Sequence, residues 1–146
     1  MNDADRERIL SRFWSKVNKT DSCWLWMKEK NNGGYGRFEI TRHLNVLSHR
    51  FAYTAIVGPI PDGLELDHLC RVRHCVNPAH LEAVTPRENW IRGDCPSAKN
   101  ARKTECRFGH PLSGGNLRLP KGRFERKCVT CLRRRDREYQ KRKRAS

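Results

Sequence analysis

The sequence predicts an α+β protein made of two small metal-stapled modules, the first built round a ββα unit. Three observations lead there. The window Asp67 to His80 holds Cys70, Cys75, His68, His74, His80, Asp67 and an Asn77-Pro78 turn, a density of ligand chemistry that packing does not explain. A second set, Cys106, His110, Cys128 and Cys131, lies near the C-terminus. The 146 residues are 36% hydrophobic with a mean hydropathy of −0.88, so the core is thin and small modules need metal or disulfide staples.

The elements follow in order. Asp3 to Val17 places Ile9, Leu10, Phe13, Trp14 and Val17 at helical spacing, an amphipathic packing helix. Cys23-Trp24-Leu25-Trp26 is a short apolar strand, and Asn31-Asn32-Gly33-Gly34 reads as a turn. Tyr35 to Ile40 is expected to be the strand's partner, with Asn45 to Ser48 adding another. A helix spans His49 to Val57 and ends at Gly58-Pro59, after which Pro59, Pro61, Asp62 and Gly63 force a loop. Leu64 to His68 and His80 to Val84 alternate apolar and polar residues as half-buried strands do. Thr85 then supplies an N-cap, Pro86 the first helical position and Glu88 the far side of a capping box. Strand, loop, strand and helix thus carry Asp67-His68 on the first strand and Asn89 in the first helical turn.

Composition shifts after Gly93, giving domains 1–93 and 94–146. Residues Asp94 to Thr104 are polar and read as a linker. Beyond the second ligand set, Leu132 to Ser146 is a basic run whose composition suits a helix on a partner and disorder without one.

The formal charge is +15, from 31 Lys and Arg against 16 Asp and Glu. That excess, concentrated towards the C-terminus, favours a polyanion, and nucleic acid first, because phosphate contacts supply most non-specific affinity. No apolar run is long enough for a membrane span, so no membrane partner is expected. Met1-Asn2-Asp3-Ala4-Asp5-Arg6-Glu7 has no apolar core of a secretory leader. The seven cysteines, an odd number, are then expected to stay reduced in a cytoplasmic protein and to bind metal.

Structural zinc takes four Cys or His ligands in a tetrahedron. Cys70, Cys75 and His80 are evenly spaced, so one loop can present all three. Cys23 is the natural fourth ligand, as the one thiol upstream of the ββα unit, with His74 as a competitor. Cys106, His110, Cys128 and Cys131 make a second zinc set: a ligand pair, a loop with Gly114-Gly115, then a C-x-x-C knuckle before a helix. Cys95 is left over as a non-ligand thiol.

Hydrolysing a phosphodiester needs a base for water, a cation for the leaving oxygen and positive charge at the phosphate. His68 has the pKa range of the base. Asp67 and Asn89 offer hard oxygens for Mg²⁺. Read singly, Asp67 and His68 are a surface pair and Asn89 a helix-surface amide; the zinc loop directly after His68 tips the reading to chemistry.

The run Asp67-His68-Leu69-Cys70, Cys75, Asn77-Pro78, His80-Leu81-Glu82 and Glu88-Asn89 resembles the HNH, or ββα-metal (His-Me finger), endonucleases, particularly their His-Cys box branch and phage-encoded members. Cys23-Trp24-Leu25-Trp26, Tyr35-Gly36-Arg37-Phe38, His49-Arg50 and Gly58-Pro59-Ile60-Pro61 are also similar to the phage proteins. The resemblance covers residues 23 to 93, and Cys106 to Cys131 is similar to a zinc module that such proteins carry at the C-terminus.

That resemblance implies a zinc-stapled ββα-metal nuclease core with a small C-terminal zinc-binding module. His68 is then the general base, and Asp67 with Asn89 holds a catalytic Mg²⁺ or Mn²⁺. Cys23, Cys70, Cys75 and His80 hold one structural zinc, and the second set holds another. Many HNH proteins place an asparagine, which orients the base, where this chain has His80, 12 residues after His68. Asn77 or a backbone carbonyl is left for that task. Arg37, Arg42 and Arg50 are candidates for the scissile phosphate, and Arg133, Arg134, Arg135, Lys141 and Arg142 for double-stranded DNA along the tail. The implied activity is DNA endonuclease, in the host cytoplasm for a phage-encoded chain, with intron homing, a free-standing mobile element or genome packaging as possible roles. A non-catalytic zinc DNA-binding protein and an RNA-binding or RNA-processing protein fit the charge and both cysteine sets equally well. Asp67-His68 together with Asn89 is what they leave unexplained.

Overall fold

In the computed structural model, which describes residues 2–120 and 125–145, contacts divide the chain into two units, Met1–Asn89 and Trp90–Ser146. Helix α1 (Asp3–Trp14) opens on Asn2, whose side chain accepts a hydrogen bond from the Asp5 N–H at 2.7 Å. Asp3 and Asp5 in its first turn complement the positive end of the helix dipole. The helix stops at Trp14, short of the expected Val17. Val17 instead opens β1 (Val17–Lys19), which pairs antiparallel with β2 (Trp24–Trp26), Val17 opposite Trp26.

The strand pairing corrects the sequence reading. Strand β3 (Arg37–Thr41) pairs with β4 (Leu44–Leu47), not with β2. Arg42 and His43 close that hairpin with almost no intervening chain, and a local closure costs the least loop entropy. The segment before β3 is a folded loop instead, in which Asn31 Oδ1 accepts from the Gly33 and Tyr35 N–H groups, each at 3.0 Å.

The core of this unit is aromatic. Phe13 is fully buried and meets the rings of Trp14, Trp26, Phe38 and Phe51 at centroid distances of 4.8, 5.1, 5.0 and 4.6 Å. Ala52 of α2 (Ser48–Ile56) and Val76 complete the buried cluster. Gly36 crosses so close to Trp26 and Ser48 that no side chain fits there. Val76 has a second role, because its buried side chain anchors the ligand-rich loop to the core. That loop also pairs with β2: the Trp26 N–H donates to the His74 carbonyl at 2.9 Å and the Val76 N–H to the Trp24 carbonyl at 2.7 Å.

The predicted ββα unit is present. Strand β5 (Glu65–His68) pairs antiparallel with β6 (Leu81–Val84), Asp67 opposite Glu82 and His68 opposite Leu81. Helix α3 (Pro86–Arg92) begins with a complete capping box. The Thr85 hydroxyl and N–H donate to Glu88 Oε2 at 2.8 and 3.1 Å, and the Glu88 N–H returns to Thr85 Oγ1 at 3.2 Å.

The second unit corrects another expectation. Asp94 to Thr104 is no irregular linker but contains α4 (Pro96–Arg102), with Pro96 in its first turn and Ala98 fully buried. Arg126 ends it: its guanidinium donates to the carbonyls of Asn100, Ala101 and Lys103 at 3.1, 2.8 and 2.6 Å, and to that of Leu112 at 3.1 Å. A short hairpin, β7 (Leu117–Arg118) with β8 (Lys127–Cys128), leads straight into α5 (Val129–Ala145), which contains the basic run. Among the described residues no helix is long and apolar enough to cross a membrane.

Candidate active site and metal centres

The chain converges on two four-ligand clusters. Cys23, Cys70, Cys75 and His80 bring their ligand atoms within 4.8 Å of one another, and so do Cys106, His110, Cys128 and Cys131. In the first, His80 Nδ1 lies 3.6 Å from Cys23 Sγ and 3.7 Å from Cys75 Sγ. In the second, His110 Nδ1 lies 3.5, 3.7 and 3.3 Å from the sulfurs of Cys106, Cys128 and Cys131, and the Cys106 and Cys131 sulfurs are 3.7 Å apart. A zinc tetrahedron with ordinary bond lengths has edges of about 3.8 Å between sulfurs and about 3.6 Å between sulfur and nitrogen. Both donor sets therefore fit a zinc ion, which they could hold. Burial, and the nearby sulfurs of Cys70 and Cys23, push the Cys75 thiol up, and burial together with Cys128 and Cys106 does the same for Cys131. Thiols crowded in this way need a cation to become thiolates. Cys23 joins the first cluster and His74 does not; exposed Cys95 joins neither, sitting 3.2 Å from Ser97 Oγ.

Next to the first cluster stands the ionisable end of the ββα unit. His68 and Asp67 are both buried, at 5% and 4% exposure. His68 Nε2 lies 3.1 Å from the Cys75 carbonyl oxygen, so that nitrogen carries the proton and Nδ1 the lone pair. Burial holds the His68 pKa below its ordinary value, the Cys75 bond and Asp67 raise it, and Arg71 and Arg73 lower it. Asn89 reaches back from α3 to β5, where its amide nitrogen donates to Glu65 Oε2 at 2.7 Å. Glu65 and Asp67 alternate to the same face of β5. Asn89 is thereby tied to the residue two positions before Asp67 on β5, while Asp67 itself pairs with Arg71. A carboxylate and an amide oxygen make a donor set that suits a hard divalent cation.

A family model described as HNH endonuclease matches residues 46–90. The uncharacterized gene 5.3 protein of Enterobacteria phage T3 is 35% identical over 69 residues, 44% of this chain and 68% of that protein. The chain belongs to the HNH endonuclease family. Two further relatives are similar: Protein 7.7 of Escherichia phage T7, 36% identical over 69 residues, and Protein 2.8 of the same phage, 36% identical over 85 residues. The matches cover 47% and 58% of this chain, but only 52% and 55% of those two proteins. No solved structure matches the chain.

The HNH match covers β5, β6 and α3 as far as Trp90, with Asp67, His68 and Asn89, and three of the four ligands in the first cluster. Cys23 lies outside it and joins through β2. The structure also supplies residues that sequence reasoning missed. His49 of α2 is 4% exposed, with its ring edge-on to His68 at 4.8 Å and Tyr35 at 5.4 Å from it. Its Nδ1 is buried without a hydrogen-bond partner, and burial, His68 and Arg50 push its pKa down to about 3. Arg71 pairs with Asp67 at 2.7 Å. Arg73 donates to the Gly33 carbonyl at 2.9 Å and lies over the Tyr35 ring. The run His49-Arg50 was visible as a motif, but nothing in its spacing points to His68. Of the arginines put forward from sequence, Arg37 is exposed on β3, Arg42 in the turn after it and Arg50 on α2, while Arg133, Arg134, Arg135, Lys141 and Arg142 are exposed along α5.

Proposed function

We propose that this protein is a metal-dependent DNA endonuclease with His68 as general base. The observation that carries the reading is the state of His68: buried beside Asp67, fixed through Nε2 on the Cys75 carbonyl, and held neutral with Nδ1 free to accept a proton. Asp67 and Asn89 hold one Mg²⁺ or Mn²⁺, which supplies Lewis-acid stabilisation for the leaving 3′ oxygen. His68 Nδ1 takes a proton from water as the water oxygen bonds to phosphorus, and the bond from phosphorus to the 3′ oxygen breaks. The products carry 5′-phosphate and 3′-hydroxyl ends. Cys23, Cys70, Cys75 and His80 keep the Cys75 carbonyl in place through structural zinc, and the second cluster holds another. Domains follow the sequence boundary, 1–93 for the nuclease and 94–146 for the zinc module and tail. The exposed basic residues of α5 bind double-stranded DNA backbone. A phage-encoded chain of this kind acts in the host cytoplasm.

The test is incubation of zinc-loaded protein with supercoiled plasmid and Mg²⁺ or Mn²⁺, beside a His68→Ala variant that retains its zinc. Nicking or linearisation by the wild type and a loss of about 100-fold or more in the variant support the reading. Equal cutting by both removes His68 as base. If neither cuts while both bind DNA, the non-catalytic binding protein takes its place.

A further inference from the structure

We propose that Arg71 is the arginine that binds the scissile phosphate, and that without a divalent cation it occupies the carboxylate of Asp67. The proposal rests on the endonuclease reading and adds to it a residue that exchanges partners. Arg71 Nη1 lies 2.7 Å from Asp67 Oδ1, where Asp67 is 4% exposed and Arg71 is 45% exposed. A carboxylate so buried favours a cationic partner, and a half-exposed guanidinium is one that it has here. The same carboxylate is the hard ligand that a divalent cation needs, so the two cations compete for one anion.

The chain holds Arg71 in that position at some cost. Its φ of 58° lies in the left-handed region, where it is the one residue other than glycine among the described residues. The Arg71 N–H donates to the His68 carbonyl at 3.0 Å, which turns the chain back immediately after the base and sets the guanidinium against the strand end. Arg73 also bears on His68, but it is committed to the Gly33 carbonyl and the Tyr35 ring. Of these two, Arg71 is therefore the cation that can be released without breaking a loop contact. Once a divalent cation neutralises Asp67, the guanidinium loses its partner and is repelled by the new charge. Its planar fork then suits a phosphate oxygen pair, in a chemistry that requires positive charge there.

The experiment titrates Mn²⁺ into zinc-loaded full-length protein by calorimetry. It compares the wild type with Arg71→Gln, Arg71→Gly and Asp67→Asn. Glycine is at ease at this φ, so Arg71→Gly guards against a folding defect. Both Arg71 variants are expected to bind Mn²⁺ about three- to tenfold more tightly, as loss of one competing ion pair allows, and Asp67→Asn to abolish that binding. Duplex DNA binding is then read by anisotropy in a His68→Ala background, which prevents cutting. There Arg71→Gln should weaken binding about tenfold in Mn²⁺ and by less than about twofold in zinc-loaded protein without added Mn²⁺, where Asp67 still sequesters the arginine. Unchanged or weaker Mn²⁺ affinity in both Arg71 variants overturns the exchange and leaves the endonuclease reading standing if the wild type cuts DNA. A wild type that binds no Mn²⁺ through Asp67 overturns both.

Discussion

Cys23→Ala separates a zinc ligand that ties distant parts of the chain from one that merely stands nearby. Cys70, Cys75 and His80 lie in one loop and can hold a metal locally, whereas Cys23 belongs to the chain before β2, close to His80 Nδ1 at 3.6 Å. A metal bridge from Cys23 to Cys70 closes a loop of about 50 residues, and a cross-link of that span contributes about 4 kcal/mol by restricting the unfolded chain. For a unit the size of Met1–Asn89, that loss lowers the midpoint of thermal unfolding by roughly 15–30 °C. Denaturation of zinc-loaded protein in urea, followed by tryptophan fluorescence with metal content measured in parallel, gives the number. Trp14, Trp24 and Trp26 report on this unit. Cys95→Ser is the matched control, since Cys95 is exposed and outside both clusters, and it should leave stability within about 0.5 kcal/mol of wild type. A Cys23→Ala loss below about 1 kcal/mol at unchanged zinc content would refute the reasoning, because the loop-entropy contribution expected of a bridge of that span would be missing.

Acid should weaken the first unit through His49. Its folded pKa, about 3, lies below the unfolded 6.5, so the unfolded chain binds the extra proton and stability is lost as pH falls from about 6.5 towards 3. His49→Phe should flatten that slope by an amount on the order of 4 kcal/mol across the window, as measured by urea midpoints at several pH values. Cleavage should rise with pH through a pKa below 6.5 and level off by neutrality, since burial keeps the base form of His68 available; a profile still climbing above pH 8 would point to another base. Arg126→Ala strips four carbonyls of their donor and should cost the second unit about 2 kcal/mol while the melting of the first is unchanged. Changing Arg133, Arg134, Arg135, Lys141 and Arg142 to Ala should flatten the salt dependence of duplex binding by about 0.9 in log–log slope for each phosphate no longer neutralised; an unchanged slope would show that α5 does not touch the backbone.

Much of the site was legible because its chemistry is local. Thr85, Pro86 and Glu88 form their capping box within one turn, and the alternation on β5 and β6 fixes which residues share a face. Cys128 ends β8 and Cys131 lies three residues on, in the first turn of α5, so their joint use is a matter of spacing. The misses are long-range. The apolar character of β2 says that it is buried, but not whether Val17 or Phe38 lies beside it, and the aromatic core accepts either from the sequence alone. Helix α4 was hidden by its polar composition; one buried residue, Ala98, and a guanidinium from Arg126 hold it, and neither has a periodic signature. Arg71 and His49 escaped for a related reason, because what gives each its meaning is the company of Asp67 or His68.

The position of His80 links these two kinds of information. HNH proteins with an asparagine there use its side chain to orient the base, whereas here the imidazole points into the first metal cluster, with Nδ1 3.6 and 3.7 Å from two sulfurs. Orientation then has to come from elsewhere, and the Cys75 carbonyl, 3.1 Å from His68 Nε2, is the group that faces it. Asn77, the other candidate, is occupied: its amide donates to the Ser22 carbonyl at 2.7 Å and its oxygen accepts from the Ala79 N–H at 3.1 Å. A backbone carbonyl orients a base only as well as the chain around it is held. Three attachments hold Cys75: its sulfur in the metal cluster, the β2 pairing on both sides of it, and the buried side chain of Val76 next to it. Loosening any of the three should lower activity more than it lowers stability. Under the proposed mechanism, the departure from the family's asparagine would move the orienting role from one side chain to a stretch of backbone held by the Cys75 cluster, and a zinc bound there would be a positioning element for the base.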